Sequence, residues 1–314
     1  MTKAVSLLHQ ATEVLSRAGI DSAHVDAALL LASVMKVERS QLSPFMEVPL
    51  VEEATFHELI AQRAKRIPLQ HLTGVAYFRY LTLSVGQGVF VPRPETELLA
   101  QVGIEYLCTR QAPRIAVDLC SGSGAIALAL ATEVPNTTVY AVEKSAEAFE
   151  WLKQNVAQHT DQLARVHSQV HCHLGDATDV TMLAHLAGSV DAVLSNPPYI
   201  PDAMIPRDAE VRDFDPSQAL FGGPDGLDVV RGVDQVARAL LKPGGFIGIE
   251  HADVQGQRLP ELLAQSGVWT EIADHLDYNQ LPRFTTAHLT TVQPDAQRDL
   301  ENGASVVDQA RTAE

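Results

Sequence analysis

Basic residues are scarce in this chain of 314 residues: 23 lysines and arginines stand against 39 aspartates and glutamates, a net charge of −16. A nucleic-acid-binding protein normally gains from counterion release at a basic face, so this balance argues against DNA or RNA as the main partner. Cysteine is rarer still. Cys108, Cys120 and Cys172 form no spaced pair, which argues against a disulfide framework. No apolar run reaches membrane length, no stretch reads as a signal peptide, and no internal repeat is evident. These absences together predict a cytoplasmic protein with reduced thiols and no membrane partner. What remains is 46% hydrophobic, ample for real cores, and the length predicts roughly two domains.

The most informative stretch is Asn196-Pro197-Pro198-Tyr199-Ile200, directly after the apolar run of Val190, Ala192, Val193 and Leu194. A strand ending in a polar amide, two ring-locked residues and an aromatic builds a rigid pocket floor at the carboxyl edge of a sheet, where open α/β folds bind ligands. An amide or exocyclic amine is a poor nucleophile, because its nitrogen lone pair is delocalised into the neighbouring π-system. Asn196 can offer a side-chain carbonyl and Pro197 a backbone carbonyl of fixed direction to the two N–H groups of such a nitrogen, while Tyr199 stacks on its flat face. That is orientation and electrostatic preorganisation rather than acid–base catalysis.

About eighty residues upstream, Ile115 to Leu119 reads as a buried parallel strand, followed by Cys120-Ser121-Gly122-Ser123-Gly124 and a helical run from Ala125 to Ala131. The spacing departs from the dinucleotide fingerprint: Cys120 stands where a first glycine is expected, and no basic residue waits for a pyrophosphate. A smaller ligand is implied. Asp118 can accept from an ammonium group, directly or through water, which suits the amino-acid end of S-adenosyl-L-methionine. A second strand, Val139 to Val142, ends in Glu143 at the distance usual for a carboxylate gripping ribose hydroxyls. A third, Val170 to Leu174, ends in Gly175-Asp176, where the acid can accept from an adenine amino group. This order is the layout of a class I S-adenosylmethionine-dependent methyltransferase acting on nitrogen.

Further segments narrow the resemblance. Pro68 to Gly74, Phe78, Val91-Pro92-Arg93-Pro94-Glu95-Thr96-Glu97, and Phe221-Gly222-Gly223-Pro224-Asp225-Gly226-Leu227-Asp228 resemble the peptide chain release factor N5-glutamine methyltransferase family, over about Gly19 to Thr290. Arg-Pro-Glu-Thr-Glu separates that family from the related ribosomal-protein enzymes, which share Asn-Pro-Pro-Tyr. The resemblance implies an α/β Rossmann-like class I domain, a mostly parallel seven-stranded sheet with helices on both faces, joined to a small N-terminal helical bundle by a β-hairpin. It implies methylation of the glutamine in the Gly-Gly-Gln loop of bacterial class I release factors. By matching position, Cys120 to Gly124 cradle the methionine portion, Glu143 holds the ribose, Asp176 and Ala177 border the adenine, and Asn196 to Tyr199 hold the glutamine. Two departures stand out. Cys120 replaces the commoner glycine, tolerable if its backbone avoids positive φ, and the stretch Asp277 to Arg283 lacks the family's Gly-Arg pair and carries no assigned function.

Four segments follow: a helical bundle over 1–72 for substrate recognition, a hairpin linker over 73–92, the methyltransferase domain over 93–292, and a disordered tail over 293–314. In the bundle, Leu8, Ala11, Leu15 and Ala18 keep helical spacing until Gly19, Ser22 caps the run from Ala27 to Met35, and a helix near Phe56, Ile60 and Arg63 stops at Pro68. Alternation from Phe78 to Val91 predicts the hairpin. Its closing loop, Arg93 to Glu97, is expected near the cofactor, with Arg93 and Glu95 free to pair with each other or with the scaffold. Lys242 to Gly245 reads as a turn into a strand from Phe246 to Ile249. His171-Cys172-His173 does not read as a metal site, because on a strand its cysteine faces away from its histidines. Two other readings compete: an adenine-N6 DNA methyltransferase, which the acidic charge and the lack of a target-recognition domain oppose, and a non-catalytic binding protein on the same scaffold, which the intact motifs oppose.

Overall fold

A computed structural model gives the fold of the chain and describes residues 1–206 and 208–291. The segment 293–314, read above as a disordered tail, lies outside the described residues.

The seven sheet strands are β1 (Arg114–Leu119), β2 (Thr137–Glu143), β3 (Gln169–Leu174), β4 (Val190–Ser195), β5 (Leu241–Glu250), β6 (Trp269–Leu276) and β7 (Pro282–Leu289). They lie in the order β6-β7-β5-β4-β1-β2-β3. Strands β1 to β5 pair in parallel, and β7 enters antiparallel between β5 and β6. All six residues of β4 are buried, as a central strand covered on both faces requires. Its one acid, Asp191, accepts from Lys242 Nζ at 2.8 Å and from the Ile115 amide at 2.9 Å. Two hydrophobic cores cover the two faces, one including the helices α4 (Thr96–Cys108) and α5 (Ala125–Glu133), the other α7 (Asp228–Leu240). Eight of the nine residues of α5 are buried, so the helix is apolar all round.

The Lys242-Pro243-Gly244-Gly245 segment is not a separate turn. It is absorbed into β5 as an irregularity: Val190 pairs with Leu241 and Ala192 with Phe246, so five steps on one strand match two on the other, with Gly244 at φ +74°. Pairing thus resumes at Phe246, where the expected strand begins.

The N-terminal bundle consists of α1 (Ala4–Arg17), α2 (Ala23–Met35) and α3 (Leu50–Ala64) around a separate core. In α1 the buried stripe is Ala4, Leu7, Ala11 and Leu15, shifted from the expected one because Leu8 and Ala18 are only half-buried. Ser22 sits at the N-terminal boundary of α2, but its hydroxyl donates to Asp26 at 2.8 Å rather than accepting from a backbone amide. Pro68 ends nothing; it precedes a further short helix, Leu69–Thr73, as a residue without an N–H can. The hairpin is Val75–Phe78 with Leu81–Ser84, earlier and shorter than alternation suggested, since Val85 and Val89 are buried in a loop rather than in a strand. At its turn Arg79 reaches both carboxylate oxygens of Glu133 on α5, at 2.6 and 2.7 Å.

One ionic knot joins the bundle to the rest. Arg63, 7% exposed, donates to Asp26 at 2.7 Å and to Glu210 at 2.9 Å, and Arg66 donates to Glu210 at 2.6 Å. Breaking a buried pair from one side leaves an uncompensated charge, which costs about 3–5 kcal/mol. Arg63→Ala should therefore lower unfolding stability by that order in urea titration, and the double variant Arg63→Met with Asp26→Leu should recover much of the loss. Equal stability of Arg63→Ala and the native chain would show that the knot is not effectively buried.

Candidate functional site

The carboxyl ends of β1, β2, β3 and β4 meet around one cavity of about 350 Å³, within the size range of small-molecule sites. It opens where the strand order reverses between β1 and β4, the usual ligand position in open α/β sheets. Cys120, Ser121, Gly122, Ser123, Glu143, Asp176, Ala177, Asn196, Pro198 and Tyr199 all line it. Asp118, Gly124 and Pro197 do not.

The loop after β1 is built on backbone hydrogen bonds: the Ser121 amide donates to Val142 at 2.9 Å, and the Gly124 amide to Ser121 at 2.8 Å. Gly124 takes φ +85° at the N-terminal boundary of α5, and a Cβ there would meet Leu152 at 2.6 Å. Cys120 departs from the sequence reading, which required it to avoid positive φ; it adopts φ +65°. The chain turns sharply out of β1 at this point, and a non-glycine residue held in that region costs about 1–3 kcal/mol. Burial pushes the Cys120 thiol up, so the side chain is an inert thiol facing Ser195.

The three acids sit at different depths. Asp118 is fully buried beneath the loop, where Oδ2 accepts from the Ala127 amide at 3.0 Å and Oδ1 has no donor among the described residues. Burial raises its carboxyl to about 7. Direct contact with a ligand in the cavity, one of the two routes expected for Asp118, is therefore not what the fold provides. Glu143 accepts from the Gly122 amide at 2.8 Å and from the Ser145 amide at 2.7 Å. These bonds fix the plane of its carboxylate while leaving lone pairs for further donors, and burial shifts its pKa upward. Asp176 lies at the rim, paired with Lys144 at 2.8 Å and accepting twice from Thr178, so its carboxyl falls to about 2.

On the other side of the cavity, Asn196 Nδ2 donates to the Thr96 hydroxyl at 3.1 Å, and its carbonyl oxygen is left without that tie. Pro197 is buried and is not among the residues that line the cavity. Tyr199 lines the cavity, with its hydroxyl near Glu250 and Arg283; burial raises its pKa. Arg93 pairs with Asp215 at 2.6 Å rather than with Glu95, and stacks over Phe90. Burial raises Asp215 to about 6 in spite of that arginine.

Several supporting residues escaped the sequence reading. Asn155, fully buried on α6 (Ala146–Gln158), bonds both the Ser84 amide and carbonyl and the Ser123 carbonyl at 2.7, 3.0 and 2.9 Å, tying the hairpin to the glycine loop. Nothing in its neighbourhood in sequence signals this. Glu250 and Arg283 back Tyr199 from β5 and β7. The Phe221-Gly222-Gly223 segment backs the floor itself: Ile200 N donates to Leu220 at 2.8 Å and Gly222 N to Ile200 at 2.9 Å. A Cβ on Gly222 would lie 2.4 Å from the Pro198 carbonyl, and one on Gly226 would lie 2.2 Å from that of Tyr199. Close backbone approach explains why glycine recurs in that motif.

Parallel-sheet order, glycine loop and strand-end acids define the class, a methyltransferase of the class I Rossmann-like fold. The comparisons with known proteins agree. Residues 6–74 match the family described as PrmC N-terminal domain, and residues 87–210 match the Methyltransferase small domain. The chain is 46% identical over 284 residues to the release factor glutamine methyltransferase of Streptomyces coelicolor, covering 88% of this chain and 95% of that protein. It is 43% identical over 290 residues to the corresponding protein of Mycolicibacterium smegmatis, covering 91% and 98%. The chain belongs to the release factor glutamine methyltransferase family.

Because the Gly222 contacts involve rigid backbone, Gly222→Ala should displace the Asn196 to Tyr199 floor and lower methyl-transfer activity at least tenfold, with a smaller effect on affinity for S-adenosylhomocysteine. Isothermal titration beside a methylation assay separates the two; wild-type activity in this variant would mean that the floor tolerates movement.

Proposed function

We propose that this protein methylates the side-chain amide nitrogen of the glutamine in the Gly-Gly-Gln motif of bacterial class I peptide chain release factors, using S-adenosyl-L-methionine. The carrying observation is Asn196. Its amide N–H is committed to Thr96, which leaves its carbonyl for the N–H of an incoming amide. The co-substrate fits the opposite side: beneath the loop Asp118 Oδ1 has no donor among the described residues and can be met through an ordered water, Glu143 retains acceptor capacity, and the glycine loop lets backbone approach.

When bound, S-adenosylmethionine supplies a methyl group on a sulfonium, an electrophile that calls for no metal and no covalent enzyme intermediate. The residues of the chain orient the partner. Asn196 accepts from the glutamine amide and draws its nitrogen toward tetrahedral geometry, the Tyr199 ring covers the planar face, and Glu143 holds the ribose hydroxyls. In this reading Pro197 serves chiefly by stiffening the floor, and the amide proton leaves to water. The helices over 1–72 recognise the protein substrate, the segment over 73–92 links them to the catalytic domain, and Arg63 and Arg66 bring them against the segment following the floor through Glu210. No nucleic-acid or membrane partner is part of this reading, and among the described residues no helix is long and apolar enough to cross a membrane. We place the protein in the cytoplasm, in keeping with its three free cysteines.

Mass spectrometry of a class I release factor incubated with the protein and S-adenosylmethionine tests this reading, with an adenine-containing duplex as a parallel acceptor. One added methyl on the Gly-Gly-Gln glutamine is expected. Methylated DNA beside an untouched release factor would transfer the site to the adenine reading. Asn196→Ala should lower the rate by about a hundredfold while leaving cofactor affinity nearly intact. Glu143→Ala should instead weaken cofactor affinity; unaltered binding would remove Glu143 from the ribose role.

A further inference from the structure

The floor has a buried acid behind it that the methyl transfer itself does not use. Glu250, at the end of β5, is 2% exposed, and its Oε2 has no donor among the described residues. The hydroxyls of Thr96 and Tyr199 both lie beside its carboxyl group and favour its ionised form, from the N-terminus of α4 and from the floor respectively. Thr96 is itself buried, 4% exposed, and takes the Asn196 N–H at 3.1 Å.

A hydroxyl has one proton to give. An ionised carboxylate only accepts, so it draws the Thr96 proton toward itself, and the Thr96 oxygen is then left as an acceptor toward Asn196. The Asn196 amide can satisfy that acceptor with its NH₂ group alone. We propose that Thr96 and Glu250 are positioning residues, which set the flip of the Asn196 amide so that its carbonyl, and not its NH₂, meets the substrate nitrogen. The inference rests on the function proposed above and gives Thr96, within the Arg-Pro-Glu-Thr-Glu motif, a physical task. With Glu250 protonated, the chain of donors can reverse: the carboxyl donates to Thr96, Thr96 donates to the Asn196 carbonyl, and two NH₂ groups face each other across the cavity.

The charged and titratable groups facing Glu250 are Arg283 from β7, Glu95 beside Thr96, and the Tyr199 hydroxyl. Burial raises the Glu250 carboxyl to about 7, opposed by Thr96, Arg283 and Tyr199 and assisted by Glu95. The ionised form predominates above that value and is lost as pH falls through it, so kcat should fall on the acid side.

The test is kcat against pH on a release factor at saturating S-adenosylmethionine, so that Asp118 and Glu143 on the cofactor side do not shape the profile. Thr96→Val should lower kcat at least tenfold with affinity for S-adenosylhomocysteine within about twofold, and Thr96→Ser should recover most of that loss. Glu250→Gln should remove the acid limb. Wild-type kcat in Thr96→Val, or an acid limb that survives Glu250→Gln, overturns the positioning role and leaves the methyltransferase reading standing. A native chain that fails to methylate the release factor overturns both. Should Glu250→Gln not fold, as its lost affinity for S-adenosylhomocysteine would reveal, the Thr96 pair decides alone.

Discussion

Both halves of the site hang from the pairing of Leu119 with Ser195, the last residues of the adjacent parallel strands β1 and β4. The Ser195 hydroxyl closes this joint by donating to the Leu119 carbonyl at 2.7 Å. The next residue on one strand is Cys120, which opens the glycine loop; on the other it is Asn196, which opens the floor. Parallel register therefore places the glycine loop and the Asn196 floor side by side. A one-residue slip would turn the side chains of β4 to the opposite face and carry Asn196 out of the cavity. The irregularity in β5 matters in this light, because it lets that strand absorb three additional residues while still meeting β4 in register from Ala192 to Ser195.

What the strands cannot do is hold the loops rigid beyond their ends, and here distant residues take over. Asn155 binds the glycine loop to the hairpin, Leu220 and Gly222 extend a short parallel ladder along Ile200, and Gln255 donates to the Tyr199 carbonyl at 3.0 Å. Leu220 and Gly222 act through backbone groups, which cannot change rotamer, and Asn155 and Gln255 through buried amides, so floor and loop are positioned with little residual freedom, the condition that orientation-based catalysis needs.

The same division decides how much could be read from the sequence. Strand ends were legible: Cys120, Glu143, Asp176 and Asn196 each lie at or just past the end of a strand read from the sequence, and all four line one cavity. Positions set by tertiary packing were not. The φ of Cys120 follows from the sharp exit of the chain from β1, which local sequence does not reveal. Arg63 and Glu210 are 147 residues apart, and no periodicity links them. The hairpin was misplaced because Val85, Val89 and Val91 are buried as alternation requires, yet lie beyond the end of the strand and pack against Ala148 and Trp151. Burial produces alternation whether or not a ladder forms.

The acids show why a shared position at strand ends does not mean a shared role. Asp176 is ionised at the rim because Lys144 and Thr178 hold it so, and water reaches it. Glu143 is deeper, and two backbone amides compensate part of its desolvation while fixing its geometry. Asp118 is deepest, with one backbone donor to Oδ2 and none to Oδ1 among the described residues. Going inward, then, solvent and lysine give way to backbone dipoles and finally to an unmet acceptor. An unmet buried acceptor costs free energy, and a donor that reaches it from the cavity side through an ordered water lowers that cost. The depth ordering thus favours a ligand with a ribose-like diol at middle depth and a hydrogen-bond donor at its inner end, which is the shape of the co-substrate proposed for it.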